Sequence, residues 1–175
     1  MKLDKRIILV AKAGGGKDFF KDYLVSEGFV PSVSHTTRPM RDGEVEGETY
    51  NYVCDTVFNL MIEQGEFHEN KSFNGWSYGT TSKSFNNSGV FIFTPSGIAS
   101  LSDEEKMGSI IVYIDIDKDV RLARLSRRSD SDTIMRRMTA DAEDFRHFKE
   151  WDIRVTNSEF NCEELLNTII SLSNV

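Results

Sequence analysis

The chain has 175 residues, 39% of them hydrophobic and 28% charged, which suits one soluble globular domain around a single core and excludes a disordered or fibrous chain. Its formal net charge of −7 argues against broad binding of nucleic-acid polymers or anionic membranes, so an anionic small molecule would need a local basic pocket. Cys54 and Cys162 match no zinc spacing, which fits reduced thiols and a cytoplasmic setting, and the one early apolar run, Ile7 to Val10, is too short for a signal-peptide core or a membrane span.

In chain order, Ile7-Ile8-Leu9-Val10 predicts a strand buried on both faces of a parallel sheet. From Lys17, the residues Phe19, Phe20, Tyr23 and Leu24 recur at helical spacing, and Gly28 supplies the stop. Val30 to Val33 is a short strand candidate; Ser34 to Tyr52 is polar, rich in turn residues and read as substrate-facing. Val90 to Phe93 and Ile110 to Ile114 are expected to be central parallel strands. Asp119 to Arg128 and Thr133 to Lys149 have helical character and carry seven arginines, with Ser129 to Asp132 as a polar connection. Ile153 to Thr156 is expected as a last strand and Cys162 to Leu172 as a closing amphipathic helix. The alternation predicts an α/β layered fold with a central parallel sheet flanked by helices.

Between the first strand and first helix lies Ala11-Lys12-Ala13-Gly14-Gly15-Gly16-Lys17-Asp18, in the context that a phosphate-binding loop requires. Ala13 to Gly16 can turn backbone N–H groups onto a polyphosphate, the helix N-terminus adds partial positive charge, and Lys17 can reach the β- and γ-phosphates of ATP. Ala11 stands where the pattern has glycine, and Asp18 where it has Ser or Thr. Asp18 has two readings, a helix-start carboxylate favoured by the dipole or a support for Mg²⁺ arriving with ATP. The three histidines do not cluster, so no histidine metal site is expected.

The stretch Ser34-His35-Thr36-Thr37-Arg38-Pro39-Met40-Arg41-Asp42-Gly43-Glu44, continuing to Tyr50 and Tyr52, resembles the acceptor signature of the guanylate kinase family, as do Gly65-Glu66-Phe67-His68-Glu69 and Tyr78-Gly79-Thr80. The spacing of Arg38 and Arg41 allows both guanidinium groups to meet one monophosphate, with hydroxyl donors from Tyr50 and Tyr78. The resemblance further implies that Glu69 reads the guanine edge, that Ser34 and Thr80 help hold the acceptor, and that Arg128 and Arg137 flank a lid and stabilise the transferring phosphoryl group. Arg124 and Arg136 are possible assistants. Asn157, in Val155-Thr156-Asn157, is implied on the ATP base side. Phe58 and Met61 are expected in the core rather than the site.

One departure stands out. The family's central strand ends in an Asp-x-Asp pair, whereas this chain has Ile92 and Thr94 at those positions. Thr94 at the acceptor base is expected to relax guanine selectivity. A Gly-Lys-Asp loop ending also resembles certain phage deoxynucleoside monophosphate kinases. The resemblance implies an ATP- and Mg²⁺-dependent nucleoside monophosphate kinase, most simply for GMP or dGMP, with ATP and the monophosphate as partners. A non-catalytic guanylate-kinase-like protein-binding module and a P-loop kinase of another small phosphate are the alternatives. One domain is expected, with its core in 1–33, 89–127 and 142–175, an acceptor region at 34–88 and a lid at 128–141.

Overall fold

The computed structural model describes residues 3–73, 75–127 and 134–174. Its main sheet is parallel, in the order β6 (Val90–Ile92), β1 (Arg6–Ala11), β7 (Ser109–Ile114), β8 (Ile153–Val155). The apolar run in β1 is buried on both sides, as its continuity predicts: Ile7 and Leu9 join one core cluster, Ile8 and Val10 the other. All four are 0% exposed, and burying each such side chain contributes about 1.5–3 kcal/mol.

One face of this sheet is covered by α1 (Lys17–Ser26) and α8 (Cys162–Ser173), through Phe20, Leu24, Leu165, Leu166 and Ile169. The other meets Phe85 of α3 (Ser82–Asn87), Ile98 of α4 (Pro95–Ala99) and the partly buried Phe145, Phe148 and Trp151. Two more helices lie along the chain: α5 (Asp103–Met107), which opens on a capping box at Ser102 and Glu105, and α6 (Lys118–Leu125).

A second sheet has the order β3 (Asn51–Tyr52), β2 (His35–Thr36), β5 (Trp76–Thr81), β4 (Phe67–Phe73); only the β2–β3 pair is parallel. Between β3 and β4, α2 (Asp55–Glu63) buries Phe58 and Met61, which are core residues as expected.

Three expectations need correction. Val30–Val33 forms no strand, because Pro31 lacks an N–H; a single bridge joins Pro31 to Val90, and the Ser32 N–H donates to the Val90 carbonyl at 2.7 Å. The strand at Val90 is therefore outermost among the described strands rather than central, which leaves β1 and β7 in the middle. The helix expected over Thr133–Lys149 is α7, Ile134–Asp144. Beyond it the chain tightens so that Phe145, Phe148 and Trp151 pack against the Tyr113 ring, with centroids 5.3–5.5 Å away. Burying three aromatic rings outweighs continuing a helix whose exposed face is polar.

Candidate active site

The phosphate loop is shaped by its glycines. Gly16, the residue before α1, has φ 99°, and a Cβ on Gly15 would stand 2.9 Å from the Lys12 carbonyl oxygen. A side chain at either position would therefore strain or crowd the backbone just where it must approach a ligand. The loop is tied down from several sides. Asp141 of α7 accepts from the Ala13 N–H at 2.8 Å and lies 3.7 Å from the guanidinium of the buried Arg121, which also donates to the Ala13 carbonyl. Arg124 donates to the carbonyls of Gly14 and Gly15 and to that of Ser158. Lys12 pairs with Asp115 at 3.3 Å, and Asp115 accepts as well from Tyr113 and Arg154.

Lys17 and Asp18, the last two residues of the loop motif, form an ion pair of 2.9 Å. Both line a cavity of about 540 Å³ that runs from the phosphate loop to the second sheet. Across it stand Arg38, Arg41, Tyr50 and Tyr78, and deeper along the same wall are Ser34 and Glu69. Residues of the polar stretch before β3 thus line the same cavity as the phosphate loop.

Arg38 is only 4% exposed. A buried guanidinium demands a partner, and Glu44 supplies it at 2.7 Å. Glu44 also accepts from the Arg41 N–H at 2.8 Å and the Tyr52 hydroxyl at 2.6 Å. Burial on its own would raise the Glu44 carboxyl; the bonds from Arg38, Tyr52 and the Arg41 backbone outweigh it and hold the group down at about 2. One carboxylate therefore anchors both the Arg38 guanidinium and the Arg41 backbone.

Glu69 has the opposite balance. Burial pushes its carboxyl above the usual range, against hydrogen bonds from Thr80, whose N–H lies 3.1 Å away. Thr80 is fully buried, and its hydroxyl bonds to that of Ser34 at 3.2 Å; it stands behind Glu69 and Ser34 and is not among the cavity's described walls. Thr94 does line the cavity, where it caps α4 by accepting from the Gly97 N–H. Arg137 is buried to 7% exposure and lines the same cavity. Asn157 is not on the described walls; its Oδ1 accepts from the Glu159 N–H in a local turn. Arg128 lies outside the described residues.

With this geometry in place, comparison with known proteins is decisive. The family model described as guanylate kinase matches residues 3–171. The chain belongs to the guanylate kinase family. The guanylate kinase of Legionella pneumophila (strain Lens) is 34% identical over 169 residues, covering 87% of this chain and 78% of that one. That of Buchnera aphidicola subsp. Schizaphis graminum is 32% identical over 166 residues, covering 87% and 80%. A crystal structure of guanylate kinase from Anaplasma phagocytophilum shares the fold, with a TM-score of 0.74 at 20% identity over 99% of this chain and 86% of that one.

Four residues of this guanylate kinase family member matter more than sequence reasoning allowed. Glu44 lay inside the signature, but its pairing with Arg38 was not foreseen. Arg121 and Asp141 meet beneath the phosphate loop although 20 positions apart. Lys71 lines the cavity beside Glu69, where its ammonium donates to the hydroxyls of Thr94 and Ser96. Only for Lys71 did a usable signal exist: it follows Glu69 by two along β4, and alternate strand residues share a face.

Proposed function

We propose that this chain transfers the γ-phosphoryl group of ATP to GMP, or to a close relative of GMP, within the single cavity that joins the phosphate loop to the arginine–tyrosine wall. That continuity is the observation supporting the reading: a donor phosphate held by the loop and an acceptor phosphate held by Arg38 and Arg41 would face each other across one cavity. Ala13, Gly14, Gly15, Gly16 and Lys17 would cradle the ATP phosphates, and Tyr50 and Tyr78 would add hydroxyl donors at the acceptor phosphate. Ser34 and Glu69 would meet the base, with Thr80 positioning both. Arg137, already desolvated at the cavity wall, would stabilise charge as it spreads over the transferring group. We assign residues 34–88 to acceptor binding and the parallel-sheet segments to the core.

Three cations lining this cavity are paired with acids, Lys17 with Asp18, Lys21 with Asp22 and Arg38 with Glu44. Lys17 is the plain case: a triphosphate drawing its ammonium away would release the Asp18 carboxylate. Among the described residues no group of three or more His, Cys, Asp or Glu side chains could hold a metal by itself. This donor set fits Mg²⁺ carried in by nucleotide, since that ion typically takes one or two carboxylates plus substrate phosphates. Asp18 would be its protein contact, and Mg²⁺ would supply positive charge against that of the phosphates.

No described helix is long and apolar enough to cross a membrane. A coupled assay of ADP formation with ATP, Mg²⁺ and a panel of nucleoside monophosphates tests the function. Turnover with GMP is expected; absence of turnover with every monophosphate, together with binding of a peptide or protein partner, would favour the non-catalytic alternative.

A further inference from the structure

Lys71 and Glu69 project from the same face of β4 into the base end of the cavity, and both are partly buried. Two of the three ammonium hydrogens of Lys71 are taken by the hydroxyls of Thr94 and Ser96, the latter at 2.5 Å. No described side chain accepts the third, which remains for the cavity, whose wall also carries Asp144. Holding a desolvated ammonium merely to join two hydroxyls is a costly way to link β4 to the start of α4, since a neutral side chain would link them without stripping water from a charge. Desolvation has in fact pushed the Lys71 amine below its usual range, against the pull of Asp144 and Glu69.

We propose that Lys71 is a specificity-determining residue of the acceptor site, which reads the carbonyl of a keto base while Glu69 reads the adjacent ring N–H. This rests on the kinase reading above and deepens it. A carboxylate beside an ammonium presents acceptor and donor in a fixed order. The complementary edge has an N–H next to a C=O: N1–H and O6 in guanine and hypoxanthine, N3–H and O4 in thymine. Adenine and cytosine carry the two functions reversed, with an amino group that would face the ammonium and a ring lone pair that would face the carboxylate. The site thereby separates keto from amino bases using both partners. Where Thr94 alone would loosen selectivity, Lys71 restores it from the facing strand, and Thr94 and Ser96 become the hydroxyls that aim the ammonium.

The test compares wild type, Lys71→Met and Lys71→Arg. Steady-state kcat/KM is measured for GMP, IMP, dTMP and AMP, with equilibrium binding of GMP and AMP alongside and thermal unfolding to confirm folding. Lys71→Met is expected to lower kcat/KM for GMP and IMP alike by about 10- to 100-fold, the size of one charge-assisted hydrogen bond, and to lower dTMP in parallel. AMP should fall by less than threefold, so the GMP-to-AMP ratio collapses, and Lys71→Arg should recover part of it. An equal loss for all four nucleotides would make Lys71 structural and overturn the proposal, as would an unchanged ratio. If wild type turns over none of them, the kinase reading fails by itself. The binding data still decide Lys71, since a preference for GMP over AMP that survives in Lys71→Met refutes its role.

Discussion

Replacing Glu44 by Gln tests whether one carboxylate organises the acceptor arginines. The substitution keeps the shape but removes the charge facing the buried Arg38 guanidinium. The wild-type carboxyl sits at about 2, against 4.5 for the unperturbed group. At about 1.4 kcal/mol per pH unit of depression this difference sets a ceiling of about 3.5 kcal/mol, and the partial exposure of Glu44 to screening solvent brings the expected loss at pH 7 to about 1–2 kcal/mol. The sign follows from the depression: the contribution is complete above the unfolded value and is lost as pH falls through the folded one. Denaturant unfolding of wild type and variant at several pH values should therefore show a gap that is full at pH 7, shrinks from about pH 4.5 and nears closure at about pH 2. A gap constant from pH 7 down to pH 3 would refute the electrostatic account and leave only a packing defect. Acceptor KM should rise in the same variant, because Arg38 and the Arg41 backbone lose their common anchor.

Lys17→Met should abolish turnover while leaving thermal unfolding within a degree or two of wild type, because its ion pair with Asp18 is partly exposed and exposed pairs are worth about 0–1 kcal/mol; measurable kcat would refute its role at the phosphates. Arg41→Ala should lower kcat/KM for GMP by about 10- to 100-fold, mainly through KM, as expected for one charge-assisted phosphate contact, and steady-state kinetics check it. Asp18→Ala should shift the Mg²⁺ titration of activity to higher concentration, with Asp18→Ser closer to wild type; superimposable titrations would reduce Asp18 to a helix-start carboxylate.

The parts of the site legible in the sequence are those whose chemistry is local. A glycine loop between an apolar strand and a helix, or two arginines flanking a proline, places its functional groups through a few neighbouring dihedrals. Arg121 with Asp141, and Lys71 with Thr94, come together only through the packing of separate elements, and neither pair has a spacing that local periodicity could reveal. The same division holds for the fold. The β1 and β7 strands were readable from their apolar runs, whereas the end of α7 depended on the distant Tyr113 ring that Phe145 and Trp151 cover. At Val30–Val33 the misleading feature was a β-branched pattern, and Pro31 was the local sign that one strand bond could not form.

The place of β1 in the sheet carries a consequence for biosynthesis. Its partners begin at Val90 and Ser109, so the ribosome releases Ile7 to Val10 long before either edge can be paired. At translation rates of 5–20 residues per second, that uncharged, β-prone tetrapeptide waits on the order of ten seconds with no native strand beside it. An unpaired apolar strand of this kind offers open edges through which nascent chains can associate. Overexpression at reduced temperature, or with a chaperone that holds extended apolar segments, should therefore raise the soluble yield of this protein more than any change to its exposed surface.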